Sequence, residues 1–232
     1  EKINEFASEH STSFRVALAE GVSSWQVYKA LSEIKFLSGK LENIPDEGTI
    51  APASYDFVIG MTKEALIKKM QERQASILNE AWNARQPNLP INTKQEALIL
   101  ASIIEKETSL KTERGKVSSV FVNRLLREIP LQTDSSVIYG ITRGKKVLGR
   151  GLRRSELKKD TPWNTYVNKG LPPSPIGNPG KASIHAALNP DITNYLYFVA
   201  DGSGGHAFAE NLREHNINAV SYTHLTLPTI PG

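Results

Sequence analysis

The segment Thr93–Thr108 constrains this chain more than any other. Thr93-Lys94-Gln95-Glu96 has the form of a capping box, in which an N-cap hydroxyl and a glutamate three residues later satisfy each other's backbone amides. It opens the apolar run Ala97-Leu98-Ile99-Leu100-Ala101-Ser102-Ile103-Ile104. On a wheel of about 100° per residue with Ala97 at zero, Leu100, Ala101, Ile103 and Ile104 fall at about 300°, 40°, 240° and 340°, and their arc defines a buried face. Glu107 falls inside that arc at about 280°, whereas Glu105 lies on its flank at about 80° and Lys106 on the far side at about 180°. One carboxyl therefore projects from the apolar face at the helix end.

The chain around this helix has 232 residues, enough for one large domain or a large and a small one. Hydrophobic residues at 39% beside 22% charged residues are ordinary for a globular core and exclude wholesale disorder and fibrous repeats. No stretch reaches the roughly 18–20 apolar residues of a spanning helix, and Glu1-Lys2-Ile3-Asn4-Glu5 does not read as a signal peptide. Either the protein is soluble or an anchor has been left off. With no cysteine, disulfides, thiolate zinc sites and a Cys nucleophile are excluded, while the redox compartment stays open.

The net charge of +4 is concentrated in one segment. Arg143, Lys145, Lys146, Arg150, Arg153, Arg154, Lys158 and Lys159 stand against Glu156 alone, a local +7 that leaves the rest of the chain at −3. Such a segment suits phosphates, but it is Gly-rich and lacks interleaved aromatic residues for base stacking, which favours a solvated loop over a nucleic-acid site.

Along the chain, residues 14–59 read as a small β-helix-β unit. Its parts are an extended run Phe14–Leu18, a helix from Trp25 to Ile34 capped by Ser23 or Ser24, and a second extended run Tyr55–Ile59. A long helix follows from its N-cap Thr62 until Gln86-Pro87 ends it. Beyond the capping-box helix, another is expected from about Thr112 to Arg127, after which the structure becomes irregular. Seven of the eleven residues Gly170–Gly180 are Gly or Pro, which suggests a stiff, shaped groove wall near Trp163, Asn164 and Tyr166. A helix at Ala182–Leu188 and a hairpin, Tyr195–Ala200 returning at His206–Phe208, complete an α+β chain. Residues 220–232, with Val220-Ser221-Tyr222-Thr223-His224-Leu225, resemble a translated sequencing adaptor, so this tail is read as an artefact and the natural C-terminus as missing.

Burial disfavours a charged carboxylate, so Glu107 is expected to hold its proton near neutral pH, as a general acid must. The alternative is a structural glutamate paired with Lys111, Arg114 or Arg124, which would hold its pKa down; its place at the unfavourable end of the helix dipole tilts the balance toward function. A two-carboxylate glycosidase needs a partner, and the candidates are Asp134, Asp160, Asp191 and Asp201. None stands out, since Asp134 looks like an N-cap, Asp160 precedes Thr161-Pro162 and Asp201 begins a Gly-rich turn. The five histidines form no metalloprotease-like pair, Gly202-Ser203-Gly204-Gly205 is not a phosphate loop, and no Gly-x-Ser-x-Gly elbow occurs.

Taken in order, Glu96–Thr108, Lys116–Leu125, Leu131-Gln132-Thr133-Asp134, Val137–Gly140, Asn164-Thr165-Tyr166, Gly170-Leu171-Pro172-Pro173 and Tyr195–Gly202 with Gly205-His206 resemble the endolytic murein transglycosylases of bacteria. The resemblance covers roughly residues 14–219. It implies a lyase, not a hydrolase, that cuts nascent peptidoglycan strands between N-acetylmuramic acid and N-acetylglucosamine and leaves 1,6-anhydromuramoyl ends. Glu107 would be its catalytic acid, without metal or cofactor. Thr108, Gln132, Tyr139, Asn164 and Tyr166 match polar positions of the family's motifs and become candidates for substrate binding, with Trp163 and Tyr166 as stacking faces. The resemblance further implies that residues 14–59 form a LysM-like subdomain and residues 60–219 the helix-rich catalytic domain. Residues 1–13 would be a remnant after a missing single-pass anchor, and the active domain would stand on the periplasmic side of the inner membrane beside cell-wall synthases. A non-catalytic peptidoglycan-binding module is the competing function, and nucleic acid is not an expected partner.

Overall fold

In the computed structural model, residues 13–226 are described; the expected N-terminal remnant up to residue 12, and residues 227–232 of the expected tail, lie outside them. The chain opens with β1 (Ser13–Ala17), which pairs antiparallel with β2 (Ser54–Val58) so that Phe14 faces Phe57 and Val16 faces Tyr55. Between them α1 (Ser24–Glu33) starts at the N-cap Ser23, whose hydroxyl and the Gln26 side chain close a capping box. Val27, Leu31, Leu37, Ile50, Tyr55 and Phe57 form the core of this β-helix-β unit. At about 1.5–3 kcal/mol for each large apolar side chain taken from water, such a small cluster needs reinforcement. That comes from α2 (Lys63–Asn83), capped by Thr62, which adds Leu66, Ile67 and Met70 to the same core. Its distal half gives Leu78 and Ala81 to a second core, so the boundary expected after residue 59 divides the chain but not the packing.

The second core is built on α3 (Lys94–Glu107), whose capping box joins Thr93 and Glu96 as expected. All eight residues from Ala97 to Ile104 are at most 5% exposed, so this helix is buried all round and not along one face. It is covered by α4 (Arg114–Leu126), α5 (Asp134–Thr142) and α7 (Lys181–Leu188), with α2 beside it. Both α5 and the short α6 (Arg154–Lys158) stand where irregular structure is expected. The sequence of α5 mixes Ser, Gly, Thr and β-branched residues over nine positions, too short and too poor in helix formers to signal itself. Packing against α3 holds it, and Arg143 ends it in the left-handed conformation at φ 51°.

The hairpin is β3 (Tyr197–Ala200) and β4 (His206–Ala209), in register through Phe198 opposite Phe208. Its turn is tied by Asp201, which accepts from the Ser203 and Gly205 amides. A last helix, α8 (Leu212–Thr226), lies on this hairpin and continues through the first residues of the segment read as adaptor-derived. No described helix is long and apolar enough to cross a membrane.

Candidate active site

Burial of α3 fixes where its last turn points. Glu107 lines a cavity of about 240 Å³ with Phe121 and Arg124 of α4, the stretch Leu131–Asp134, Tyr166 and Phe198. Its Oε1 accepts a hydrogen bond from the Ser135 hydroxyl at 2.7 Å. Burial pushes the Glu107 carboxyl above the ordinary glutamate range, the Ser135 hydrogen bond pulls it back, the nearby Asp134 charge adds to the rise and His206 opposes it.

Two of the three cations expected to neutralise Glu107 in a purely structural role, Arg114 and Arg124, are engaged elsewhere, and the exposed Lys111 makes no ion pair with it. Arg114 Nη2 reaches Glu105 at 3.0 Å and Glu20 at 3.1 Å. Arg124 donates to the carbonyls of Leu196, Pro130 and Leu131, at 2.7, 3.1 and 2.9 Å. The Glu105 carboxylate is completed by the Gly180 amide at 2.9 Å. Two glutamates two residues apart thus receive opposite treatment, one held by arginine and backbone, the other left with a hydroxyl.

The structure gathers some of the expected binding residues and disperses others. Gln132 lines the Glu107 cavity from a left-handed backbone at φ 56°; its backbone amide donates to the Thr165 carbonyl at 3.0 Å, its Oε1 accepts from Arg124 at 3.2 Å, and its side-chain Nε2 has no protein partner among the described residues. Tyr166 lines the same cavity, and its hydroxyl donates to Asp134 at 2.7 Å. Burial and the Asp134 carboxylate both raise the phenol pKa, so Tyr166 stays a neutral hydrogen-bonding group. Tyr139 lies outside this cavity, lining a neighbouring cleft, and its hydroxyl donates to Glu47 at 3.0 Å.

Asn164 does not face the groove. It is fully buried, its amide donates to the carbonyls of Glu156, Leu157 and Lys159, and its Oδ1 accepts from the Tyr166 amide at 2.9 Å, which leaves no polar atom for a sugar. It shapes the loop that presents Tyr166. Thr108 is likewise buried as the C-cap of α3, and its hydroxyl accepts from Leu110 while that of Ser135 serves Glu107. Trp163 stacks under the Arg143 guanidinium at 3.5 Å and donates to Ser174, so a ring face is already covered.

Of the four aspartates weighed as a second carboxylate, Asp134 alone lines the cavity with Glu107. It is the first residue of α5 and not its N-cap, which is Thr133. Asp160 accepts from Asn168, Asp191 packs against Gly115 and Asp201 ties its turn. Ser135 escaped sequence reasoning because it is 28 residues from Glu107 and meets it only through packing. Arg124 was weighed as an ion-pair partner and proves to be a cavity wall. The pair of His206 Nδ1 with Glu113 Oε2, 2.7 Å apart, fastens the hairpin and its Phe198 over the site; no spacing in the sequence signals it.

A protonatable carboxyl with no ion-pair partner among the described residues, in a cavity shared with Asp134, an Arg124 committed to backbone carbonyls, and polar and aromatic side chains, suits acid chemistry on a polar substrate. The YceG-like family matches residues 1–221, and this chain belongs to that family. It is 40% identical over 173 residues to an endolytic murein transglycosylase of Bacillus subtilis, covering 74% of this chain and 46% of that protein. An endolytic murein transglycosylase of Streptococcus pneumoniae is 32% identical over 188 residues, covering 78% of this chain and 33% of that protein. The chain thus spans between a third and a half of the length of these relatives. A crystal structure of a yceG-like protein from Listeria monocytogenes superposes with a TM-score of 0.71 at 27% identity, covering 90% of this chain and 77% of that one.

Proposed function

We propose that this chain carries the catalytic part of an endolytic peptidoglycan transglycosylase, with Glu107 as its acid and base. The observation that supports it best is the Glu107 carboxyl, raised by burial and bonded to a hydroxyl instead of a cation. In this reading Glu107 gives its proton to the glycosidic oxygen as the bond to muramoyl C1 breaks. The carboxylate so formed takes the proton of the muramoyl C6 hydroxyl, whose oxygen closes onto C1. The acid is regenerated, no water is consumed, and one side chain serves both steps. Gln132 and Tyr166 are the sugar-binding groups of the cavity, while Asn164 and Thr108 hold its shape.

The wider expectations belong to the same proposal. Residues 14–59 serve as a LysM-like glycan-binding unit, and an anchor outside this sequence holds the enzyme at the inner membrane, facing the periplasm beside the cell-wall synthases. Mass spectrometry of peptidoglycan strands incubated with the chain, beside a Glu107→Gln control, tests the chemistry. Anhydromuramoyl ends formed only by the unmutated chain are the expected result. Reducing ends would instead favour a hydrolase, a reading that Asp134 in the same cavity keeps alive. Binding without any product would favour a non-catalytic peptidoglycan-binding module.

A further inference from the structure

A second cleft, of about 410 Å³, adjoins the Glu107 cavity. The end of α3 divides the two: Glu107 lines one and its neighbour Lys106 the other, while Ser135 lines the second and bonds the acid of the first. Ser23 and Gln26 of the small unit, Tyr139 of α5 and the loop Lys146–Arg150 wall the cleft. The Ser23 hydroxyl donates to the Gly144 carbonyl at 2.7 Å and ties the small unit to the root of that loop. The basic segment that dominates the charge of this chain therefore has one stretch built into a cleft beside the candidate acid.

The lining includes three cations and no carboxylate. Arg150 is neutralised by Glu156, with its two terminal nitrogens at 2.8 and 2.6 Å from the carboxylate oxygens. Lys106 and Lys146 make no hydrogen bond and no ion pair among the described residues. The Lys106 stem is packed against the Gly21 and Gly177 backbone, so close that a β-carbon at Gly177 would lie 3.2 Å from Lys106 Cε. Burial disfavours its charge, and only the more distant Glu47 and Glu105 carboxylates offset this. An anion entering the cleft would supply the missing partner.

We propose that this cleft receives the peptide branch of the glycan strand, with Lys106 and Lys146 binding its free carboxylates. The inference rests on the peptidoglycan reading of the Glu107 cavity. In that polymer the peptide leaves the muramic acid ring through a lactyl ether, so a muramoyl residue reacting at Glu107 carries its branch past the end of α3. A stripped muramoyl residue keeps a single lactyl carboxylate close to its ring, whereas the stem peptide carries further carboxylates out to where two unpaired ammonium groups stand.

The test uses the Glu107→Gln chain, so that strands are bound and not cut, and compares strands carrying intact stem peptides with strands stripped by an amidase, which keep only the lactyl carboxylate of each muramoyl residue. Intact strands are expected to bind about tenfold tighter, the scale of two charge contacts at a partly open site, with an advantage that shrinks in salt. Adding Lys106→Gln and Lys146→Gln should erase that advantage, and arginine at both positions should keep it. If the double variant unfolds, Lys146→Gln alone provides the readout. Equal affinity for both strands, a preference that survives the glutamine variants, or equal binding of duplex DNA would each overturn the proposal. Cleavage assays of the unmutated chain on the same strands separate the two claims. Cleavage without preference removes the cleft and leaves the enzyme; preference without cleavage does the reverse.

Discussion

Glu107 differs from Glu105 by its neighbours, and this difference is measurable. Because burial lifts the Glu107 pKa, the folded chain binds a proton that the unfolded chain has released, over the window between the ordinary glutamate value and the raised one. Stability therefore falls as pH rises through that window, and Glu107→Gln abolishes the fall. The variant is expected to melt at or above the temperature of the unmutated chain at neutral pH, with the gap closing in acid, while cleavage drops about 100- to 10,000-fold. Thermal melts across pH read the first effect, and a melt several degrees lower at neutral pH would mark Glu107 as structural. The two residues beside the acid should move the pH dependence of cleavage in opposite directions. Ser135→Ala removes a bond that favours the carboxylate, so the alkaline limb of the rate profile shifts upward; Asp134→Asn removes a repelling charge, so it shifts downward. A limb unmoved by both would exclude Glu107 as the titrating acid.

At the scale of elements, the legible helices carry their own start signals. Thr62, and Thr93 with Glu96, cap α2 and α3 as the sequence predicts, and of the two serines it offers for α1 the cap is Ser23, boxed with Gln26; a cap is legible because it is a contact between residues three apart. The α5 helix offers Asp134, which proves to be its first residue and not its cap, and α6 has only the Glu156 carboxylate reaching back to the Arg153 amide, so both are held mainly by what they touch. The helical wheel selected Glu107, but on a partial basis: α3 is buried all round, so periodicity alone does not distinguish it from Glu105. What separates them is Arg114, 5% exposed at its side chain and committed to Glu105 and Glu20. Asn164 leaves the groove for the same reason, since its motif position says nothing of three carbonyls folded around its side-chain amide. The Glu105–Arg114 pair anchors the end of α3, and its removal leaves an uncompensated buried charge. Arg114→Ala is expected to cost about 3–5 kcal/mol in urea unfolding. A loss below about 1 kcal/mol would show that water reaches Glu105 and that the pair does not fix the acid-bearing turn.

Over the whole molecule, two cores share α2 and meet again at the Pro/Gly loop, where Asn178 is the clasp. It is fully buried; its backbone exchanges hydrogen bonds with Gly21 and Val22, its Oδ1 accepts from the Ile50 amide at 2.9 Å and its Nδ2 donates to Val22 and Ser24. Next to it Gly177 lies so close to the small unit that an added β-carbon would stand 2.7 Å from the Gly21 carbonyl oxygen, a backbone atom with no flexible end to move aside. The composition of this loop signals stiffness, but only the fold shows that its stiffness is spent on holding the small unit against the acid-bearing helix. Asn178→Ala would leave the Ile50 amide buried without a partner, at about 1–3 kcal/mol for such a group. Because the loss falls at the junction, it should appear as uncoupling: one cooperative transition in the unmutated chain, two in Asn178→Ala and in Gly177→Ala, followed by calorimetry. The cleft lined by Ser23, Lys106 and Lys146 spans the same junction, so uncoupling should also weaken the preference for peptide-bearing strands more than the binding of stripped ones. A single transition, merely shifted to lower temperature in both variants, would mean that α2 alone makes the two cores one cooperative unit.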